Sequence, residues 1–293
     1  MAISPYILTE KDFVAQEKLQ YPFEERGLQF GDGVYEVIRV YQGDYYLLDE
    51  HLDRLYRSAE AIKIQIPFTR EEMDRRLHDL LERNDIQTDA KVYLQMTRGS
   101  AARDHAFPEG VVPNFYAYVQ EFPRNLEALR QGGAVHAYPD IRWDYCYIKS
   151  LNLLPNVLAK QEAKEKGCFE ALFHKDGEVT ECSASNAYLV KDGKVYTHPT
   201  KKNILYGCVR LRIEKFCNDL GIPFIETPFR LEDIKEADEM FSSSSVMEIM
   251  PILKVDDTVI GEGTPGSITK QLQKAYETDA GIKEANSIFH KVQ

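Results

Sequence analysis

Apolar and polar residues in the first third of the chain predict strands and a helix in irregular order. The run from Val34 to Tyr41 predicts a strand, and a glycine-rich bend at residues 27–33 leads into it. Gln42-Gly43-Asp44 predicts a hairpin turn, and Asp49 is then a plausible N-cap for a helix. The apolar positions of that helix recur at helical spacing: Leu52, Leu55, Ala59 and Ile62.

The rest of the N-terminal part continues this mixture up to a segment that contains proline. A second helix is predicted over residues 71–84, and strands follow over 91–97 and 115–121. Phe122-Pro123-Arg124 is typical of a connection. We therefore expect an N-terminal domain over residues 1–121 and a linker over residues 122–130.

Lys149 is predicted to lie at a corner between a strand and a helix. The strand-like run extends from Val135 to Ile148, directly before this lysine. The helix carries Pro155 in its first turn and runs to Lys166. Such a corner can shield a lysine partly from water, which lowers the pKa of its amine from ~10.4 and makes it a nucleophile.

Short strands dominate the second half, which we expect to form a C-terminal domain over residues 131–293. The turns at residues 175–177 and 191–193 indicate a meander, and a helix is predicted over residues 208–220 with Gly221 at its end. A last helix begins near Ser267. Because strands and helices do not alternate regularly, the pattern favours the α+β class over a doubly wound sheet. No Gly-x-Gly-x-x-Gly motif opens a helix, which argues against a nicotinamide enzyme.

Composition places the chain among ordinary globular proteins and limits its partners. Of its 293 residues, 43% are hydrophobic and 28% are charged, so disordered and fibrous classes are excluded. The 36 basic and 47 acidic residues give a net charge of -11, which opposes contact with nucleic acid and with anionic membranes. We expect neither partner, and any recognition of phosphate must be local.

Cysteine and histidine usage predicts reduced thiols and no metal. The 5 cysteines are odd in number and scattered, without a Cys-x-x-Cys pair, and the histidines lack metal-ligand spacing. The first residues do not resemble a secretory signal, and no run approaches the ~18 apolar residues of a membrane span. The expected location is cytoplasmic.

A lysine and a carboxylate about thirty residues apart suggest a cofactor. Lys149 lies at the corner described above, and Glu181 is a carboxylate within a run of small residues between two predicted strands. An amine that carries an aldehyde and a carboxylate that keeps a pyridine nitrogen protonated are what pyridoxal phosphate requires. The pair therefore suggests pyridoxal 5'-phosphate.

The start of the predicted helix at residues 208–220 is a candidate phosphate site. Gly207 precedes it directly, so the backbone amides of Cys208 and Val209 are available at the positive end of the helix. A simple junction of a loop and a helix is the alternative for this segment. Side chains that suit the same anion, or else belong to a solvated polar surface, are Arg54, Ser244 and Ser245.

A loop in the N-terminal part carries donors that suit a carboxylate. Arg103 and His105 occur at alternate positions of a polar stretch, where they form either a carboxylate clamp or a solvated loop. Tyr35 lies in the strand after the glycine-rich bend and could direct its hydroxyl to a ligand or bury its ring. Glu36 is predicted to point to the opposite face of this strand.

These separated motifs, in this order, resemble those of the fold-type IV pyridoxal-phosphate transaminases along nearly the whole chain. Among these enzymes the chain is most similar to the bacterial D-amino acid aminotransferases. The motifs that carry the resemblance are Arg26 to Glu36, His51 to Leu55, Thr97 to Gly99, Arg103 to His105, Ile148 to Leu154, Thr180 to Asn186, and Gly207 with Arg210.

The resemblance implies a two-domain α+β fold with the cofactor at the domain interface. It implies that Lys149 holds pyridoxal 5'-phosphate as a Schiff base and that Glu181 pairs with the pyridine nitrogen. Leu205 would lie behind the ring. The implied phosphate ligands are Arg54, Gly207 with the amides of Cys208 and Val209, Ser244 and Ser245. The implied ligands of the substrate carboxylate are Tyr35, Arg103 and His105.

The resemblance also implies an activity and an assembly. The substrates would be D-amino acids such as D-alanine and 2-oxo acids such as 2-oxoglutarate. The enzyme would be a homodimer in which Arg103 and His105 reach the active site of the partner subunit. A branched-chain L-amino acid aminotransferase and an aminodeoxychorismate lyase of the same fold are the alternatives, and a cofactor-free binding protein is the alternative from another class.

Three positions depart from the family pattern. Val209 stands where related sequences often have threonine, so one hydroxyl contact to phosphate is missing. Pro155 and Cys182 stand where glycine is familiar. We expect these changes to tune the affinity for the cofactor without abolishing it.

Overall fold

The computed structural model describes residues 3–201 and 203–290 of the chain, which form two compact units. The first unit extends to Pro123 and includes Ile148–Asn152, and the second comprises Arg124–Tyr147 and the chain from Leu153 onward. Lys149 therefore belongs to the first unit, whereas the domain bounds expected from the sequence place it in the C-terminal domain. Residues 122–130, the expected linker, include most of a short helix at Leu126–Gln131.

The first unit contains one antiparallel sheet, three α-helices and a short 3-10 helix at Gln16–Lys18 within the described residues. The sheet order is β2-β1-β6-β5-β3-β4. Its strands are β1 (Tyr6–Thr9), β2 (Phe13–Ala15), β3 (Gly33–Tyr41), β4 (Asp44–Tyr46), β5 (Ala90–Thr97) and β6 (Phe115–Glu121). Its helices are α1 (Arg26–Phe30), α2 (Leu48–Ala61) and α3 (Arg70–Arg83).

One core holds the first unit together. Apolar side chains of β3, β5 and β6 pack with those of α2 and α3, and Ile148 joins this cluster. The residues of β3 that alternate with this core, such as Tyr35, lie on the other face of the sheet. There the centroid of the Tyr93 ring lies 5.8 Å from that of Tyr35 and 5.3 Å from that of Tyr118.

The second unit contains a larger mixed sheet. Its order is β12-β11-β10-β13-β14-β7-β8-β9, and β15 pairs with β14. The strands are β7 (Gly133–Pro139), β8 (Glu170–Lys175), β9 (Glu178–Cys182), β10 (Asn186–Lys191), β11 (Lys194–Thr197), β12 (Phe224–Ile225), β13 (Glu239–Ser244), β14 (Glu248–Val255) and β15 (Thr258–Val259). The helices are α4 (Leu126–Gln131), α5 (Leu154–Glu165), α6 (Cys208–Leu220) and α7 (Ser267–Asp279).

The α+β class is confirmed by this arrangement, whereas the predicted meander is wrong, because β9 pairs with β8 at one edge of the sheet and β10 pairs with β11 and β13. Turns at residues 176–177 and 192–193 join β8 to β9 and β10 to β11, as expected. The helix at Cys208–Leu220 begins and ends where the sequence predicts, with Gly221 in the left-handed conformation at φ 70°. No helix in the described part of the chain is long and apolar enough to cross a membrane.

The predicted strand from Val135 to Ile148 is too long, and the prediction of its end is wrong. β7 stops at Pro139, because the side chain of Asp140 accepts hydrogen bonds from the backbone amide and the guanidinium of Arg142 and so replaces strand pairing by a turn. Ser150 instead forms a bridge with Val34. Lys149 is thus held by β3, and the strand that precedes it in sequence ends ten residues earlier.

Two details before α2 also differ from expectation. Residues 27–30 of the predicted glycine-rich bend belong to the helix α1, which the Glu25 side chain caps and which Gly31 ends at φ 65°. The helix α2 begins at Leu48 after Leu47, so Asp49 is not its N-cap. Asp49 lies in the first turn, where its negative charge interacts favourably with the positive end of the helix dipole.

Candidate active site

Lys149 is fixed through its backbone to two elements of the first unit. Its carbonyl accepts a hydrogen bond from the amide of Tyr35 at 3.0 Å, and its amide donates to the Ser58 hydroxyl of α2 at 3.2 Å. The residue itself is half-buried. The backbone of Lys149 is therefore positioned by regular structure, which restricts the range of its side-chain amine.

The amine of Lys149 and the hydroxyl of Tyr35 lie together. Lys149 Nζ is 3.4 Å from Tyr35 Oη and 4.4 Å from the centroid of the Tyr35 ring. A tyrosine that contacts the amine by both its hydroxyl and its ring can orient that amine. The structure thus brings together two of the predicted site residues.

Arg54 lies on α2 in a buried ionic cluster, not on a solvated helix surface. Glu36 Oε1 accepts from Arg54 Nε at 2.7 Å, and Glu36 Oε2 accepts from Arg54 Nη2 at 2.8 Å. His51 Nδ1 lies 2.7 Å from Glu36 Oε2. Glu36 is fully enclosed on the face of β3 opposite to Tyr35, as the sequence predicts. The cluster fixes the direction of the Arg54 guanidinium.

The Glu36 carboxylate stays ionised in this cluster. Burial alone would raise the pKa of Glu36, but Arg54 and His51 together hold that pKa well below its usual range. A carboxylate with a lowered pKa stabilises the fold fully above its unfolded pKa of ~4.3, and the stabilisation is lost as the pH falls through the folded pKa.

We expect Glu36→Gln to destabilise the protein strongly near neutral pH. Removing one partner of a buried ion pair leaves the other charge uncompensated, which costs about 3 to 5 kcal/mol. Urea denaturation followed by circular dichroism measures this difference in the free energy of unfolding. The difference between wild type and variant should narrow as the pH falls below ~4.3.

The control for this variant is Glu82→Gln, at an exposed glutamate of α3. It should change the free energy of unfolding by less than about 0.5 kcal/mol. If Glu36→Gln were as stable as wild type near neutral pH, the cluster would not have the stabilising role assigned to it.

Arg103 and His105 lie on an exposed loop of the first unit. The Arg103 guanidinium is 4.9 Å from the centroid of the Phe30 ring, and the His105 ring is 5.5 Å from it. Within residues 3–201 and 203–290 neither side chain has a hydrogen bond or an ion pair to Tyr35 or Lys149. The loop therefore presents two basic side chains at one exposed place, supported by one aromatic ring.

Glu181 is the centre of a buried network in the second unit. Its side chain is 5% exposed and accepts hydrogen bonds from Arg142 Nη1 at 2.5 Å and from Asn186 Nδ2 at 3.1 Å. The amide of Leu205 donates to both carboxylate oxygens at 3.2 Å. Burial raises the pKa of Glu181, although Arg142 opposes this shift.

Arg142 and Asp140 were missed by the sequence analysis. Asp140 binds the Arg142 guanidinium at 2.9 and 2.8 Å and accepts from the Thr180 hydroxyl at 2.7 Å. Arg142 connects this carboxylate to Glu181, and its side chain is 6% exposed. Two carboxylates thus share one guanidinium, so these three side chains carry a net negative charge when all are ionised. The Asp-x-Arg spacing before Lys149 was the available signal.

Asn186 joins Glu181 to the start of α6. Its amide donates to the Leu205 carbonyl at 2.9 Å, and a Cβ at Gly207 would lie 2.2 Å from its Oδ1. Glycine is therefore required at 207 if Asn186 keeps its place. Because the N-cap residue of α6 is Gly207, it offers no side-chain cap to the first amides of the helix, at Cys208 and Val209.

The two predicted serines lie at the end of a strand beside Asn186. Asn186 of β10 pairs with Ser243 of β13, and Ser244 follows directly. The Ser244 hydroxyl accepts from the amide of Met247 at 3.1 Å, and Ser245 lies in the half-buried turn between β13 and β14. The second unit thus collects its predicted residues around Asn186: Glu181, Leu205, Gly207, Cys208, Val209, Ser244 and Ser245. In the described residues no group of three or more histidine, cysteine or acidic side chains could hold a metal ion.

Comparison with known proteins identifies the family. The family described as amino-transferase class IV matches residues 33–255. The chain belongs to the class IV amino-transferases. The match covers most of the chain, including Lys149 and Glu181, and it confirms the resemblance that the motifs indicate.

This class IV amino-transferase has close relatives in bacteria. It is 43% identical over 276 residues to the D-alanine aminotransferase of Listeria monocytogenes serotype 1/2a, an alignment that covers 92% of this chain and 94% of the relative. It is 42% identical over 272 residues to the D-alanine aminotransferase of Staphylococcus aureus strain N315, covering 92% and 96%.

Solved structures of other class IV amino-transferases share the fold. The branched-chain amino acid aminotransferase of Escherichia coli superposes with a TM-score of 0.88 at 26% identity, covering 94% of each chain. The T.th. branched-chain amino acid aminotransferase complexed with N-(5'-phosphopyridoxyl)-L-glutamate gives a TM-score of 0.88 at 26% identity, covering 97% and 96%. These likenesses confirm the fold-type IV architecture of this amino-transferase.

Proposed function

We propose that this class IV amino-transferase uses pyridoxal 5'-phosphate to transfer amino groups from D-amino acids, such as D-alanine, to 2-oxo acids, such as 2-oxoglutarate. The observation that supports the assignment of the cofactor is the enclosed Glu181 carboxylate, which shares Arg142 with Asp140. The handedness of the substrate rests on the relatives, since D-alanine aminotransferases are 42–43% identical to this chain over 92% of its length.

The residues around Glu181 suit a protonated pyridine ring. Glu181, Asp140 and Arg142 together carry an excess of negative charge, and burial disfavours the ionised form of Glu181. A cation beside Glu181 would restore the ionised carboxylate and balance the network. A pyridinium nitrogen supplies such a cation, so the donor set fits the cofactor.

The proposed phosphate ligands also have the right chemistry. The helix α6 begins at Cys208 without a side-chain cap, and its positive end favours an anion. We assign the phosphate to these residues: Arg54, Gly207, Cys208, Val209, Ser244 and Ser245. We assign to Leu205 a place behind the ring. Because Val209 has no hydroxyl, the anchor depends more on backbone amides.

Two residues of the chain have separate chemical roles: Lys149 is the proposed base, and Glu181 is the proposed ionic partner of the ring nitrogen. When bound, the cofactor withdraws electrons from the substrate Cα. Lys149 Nζ would hold the cofactor, then take up the Cα proton and return it on the other carbon. Tyr35 Oη, 3.4 Å from Lys149 Nζ, orients this amine. Glu181 would hold a proton at the ring nitrogen, and Arg142 fixes the direction of its carboxylate.

We further propose that the enzyme is a homodimer. Arg103 and His105 are exposed and have no partner in the described residues that would complete a carboxylate site within one chain. In a dimer these two side chains would reach the substrate carboxylate in the partner's site, where Tyr35 supplies a hydroxyl. A guanidinium with a carboxylate forms a charge-assisted contact that fixes substrate orientation.

A branched-chain L-amino acid aminotransferase is the second candidate. The observation in its favour is the likeness to the E. coli and T.th. branched-chain enzymes, at a TM-score of 0.88. Their identity to this chain is 26%, against 43% for the Listeria D-alanine enzyme. Fold alone does not decide substrate handedness, because both activities use this architecture.

We expect the purified enzyme, saturated with pyridoxal 5'-phosphate, to convert D-alanine and 2-oxoglutarate to pyruvate and glutamate. L-Leucine in place of D-alanine should react at least about 10²-fold more slowly in kcat/KM, since a misplaced reacting centre costs that much. A coupled assay for pyruvate and chromatographic detection of the L-leucine product measure the two rates. Turnover of L-leucine alone would overturn the proposal in favour of the second candidate.

A further inference from the structure

A pair of basic side chains lies on the first unit's sheet, apart from Lys149 and Arg54. Arg39 of β3 and Lys91 of β5 are directly opposed cross-strand partners. Arg39 is also the partner of Tyr46 on β4. The two cations are therefore fixed side by side by the register of three neighbouring strands, on one face of the sheet.

Arg39 is fully enclosed and lacks polar contacts. Its exposed fraction is 0%, and none of Nε, Nη1 and Nη2 has a hydrogen-bond partner among residues 3–201 and 203–290. Its guanidinium carbon lies 4.9 Å from the centroid of the Tyr41 ring and 5.1 Å from that of Phe122. Aromatic rings offer no in-plane hydrogen-bond acceptor, so these two contacts leave the N–H groups of the guanidinium unsatisfied.

Lys91 adds a second positive charge at the same place. Its Nζ lies 4.4 Å from the centroid of the same Phe122 ring. Burial and then the charge of Arg39 lower the pKa of Lys91.

Contacts with aromatic rings do not replace the lost hydration of an arginine. A buried charge is retained when it is paired and hydrogen-bonded, and a guanidinium needs acceptors in its own plane. An anion would satisfy both needs at once. Because Arg39 is enclosed, such an anion has to be small.

We propose that Arg39, together with Lys91, binds a small monovalent inorganic anion of the halide type beside the rings of Tyr41 and Phe122. This site is independent of the proposed function, because none of its residues belongs to the predicted active site. The anion supplies acceptors to the Arg39 N–H groups and compensates the charge of the cross-strand pair. Its expected effect is on the stability of the sheet.

The direct test is crystallography of the full chain in bromide. The enzyme, with its cofactor added, is crystallised in sodium bromide, and anomalous differences are recorded at the bromine edge. We expect an anomalous peak within hydrogen-bonding distance of the Arg39 guanidinium. An ordered water without anomalous signal at that position, or a protein carboxylate there, would overturn the proposal.

A solution test separates this site from general salt effects. A bound ion stabilises the folded state by mass action, so the Tm of wild type should be higher in sodium bromide than in sodium gluconate of the same ionic strength. Arg39→Gln should lose this difference. The matched control Arg75→Gln, at an arginine on α3 whose side chain is 65% exposed, should keep it.

Each outcome of the solution test is decisive. Loss of the bromide effect in Arg39→Gln alone supports the site. An equal effect in Arg39→Gln and Arg75→Gln means that bromide acts elsewhere and contradicts it. If Arg39→Gln does not fold, the anomalous peak in the unchanged protein decides, and its absence counts against the proposal.

Discussion

Lys149→Ala should abolish transamination while the protein keeps its fold and still binds pyridoxal 5'-phosphate. The variant removes the only amine proposed to move the Cα proton, and a positioned base contributes roughly 10²–10⁴-fold to the rate. The phosphate contacts assigned to α6 and Arg54 do not involve this side chain, so binding should survive. We expect kcat to fall by about 10²–10⁴-fold or more.

Two measurements separate the chemical role of Lys149 from a structural one. Equilibrium dialysis measures retained cofactor, and borohydride treatment followed by peptide mapping identifies the residue that is covalently linked. Label should be found on the peptide with Lys149 in wild type and should be absent in the variant. Lys164→Ala, at an exposed lysine of α5, is the matched control and should keep wild-type turnover and labelling.

Label on another lysine, or normal turnover by Lys149→Ala, would remove the basis of the proposed function. The contact of Lys149 Nζ with Tyr35 Oη at 3.4 Å would then need a different explanation. Loss of both activity and cofactor in the variant would indicate that the lysine anchors the ligand. In that case the phosphate ligands assigned here would contribute little to binding.

Local signals in the sequence were sufficient for much of the fold. The helix α6 was predicted with its observed bounds because glycines stand on both sides of it, and β6 because it is flanked by polar and proline-containing segments. The end of β7 was not predicted, because the hydrogen bonds from Arg142 to Asp140 depend on side chains and leave the apolar pattern unchanged.

The candidate site was predicted as a set of residues but not as a set of contacts. Motif spacing and family resemblance indicated Lys149, Glu181 and Arg54. The ionic partners of these residues lie on other elements: Glu36 binds Arg54 across 18 positions, and Arg142 binds Glu181 across 39. Periodicity reports which face of an element is buried, and it carries no information about which charges meet after folding.

Glu181→Gln should slow turnover strongly without loss of the cofactor. The amide is neutral, so it cannot hold a positive charge at the ring nitrogen, and the charge that develops as the Cα proton leaves is less stabilised. Removing one preorganised electrostatic contact of this kind costs roughly 10²–10³-fold in kcat. Steady-state kinetics with D-alanine measures the loss, and the visible absorption of the bound cofactor reports its altered protonation.

The matched control for Glu181→Gln is Glu170→Gln, a second buried carboxylate of the same unit. Glu170 accepts from the hydroxyls of Ser183 and Ser185, and burial raises its pKa, so a neutral side chain suits its place. This control should retain most of the activity and an unchanged cofactor spectrum. If both variants lost activity equally, the effect would come from general disturbance of the unit. If Glu181→Gln kept wild-type kcat, the network of Arg142 and Asp140 would serve stability alone, and the charge partner of the ring would have to be another residue.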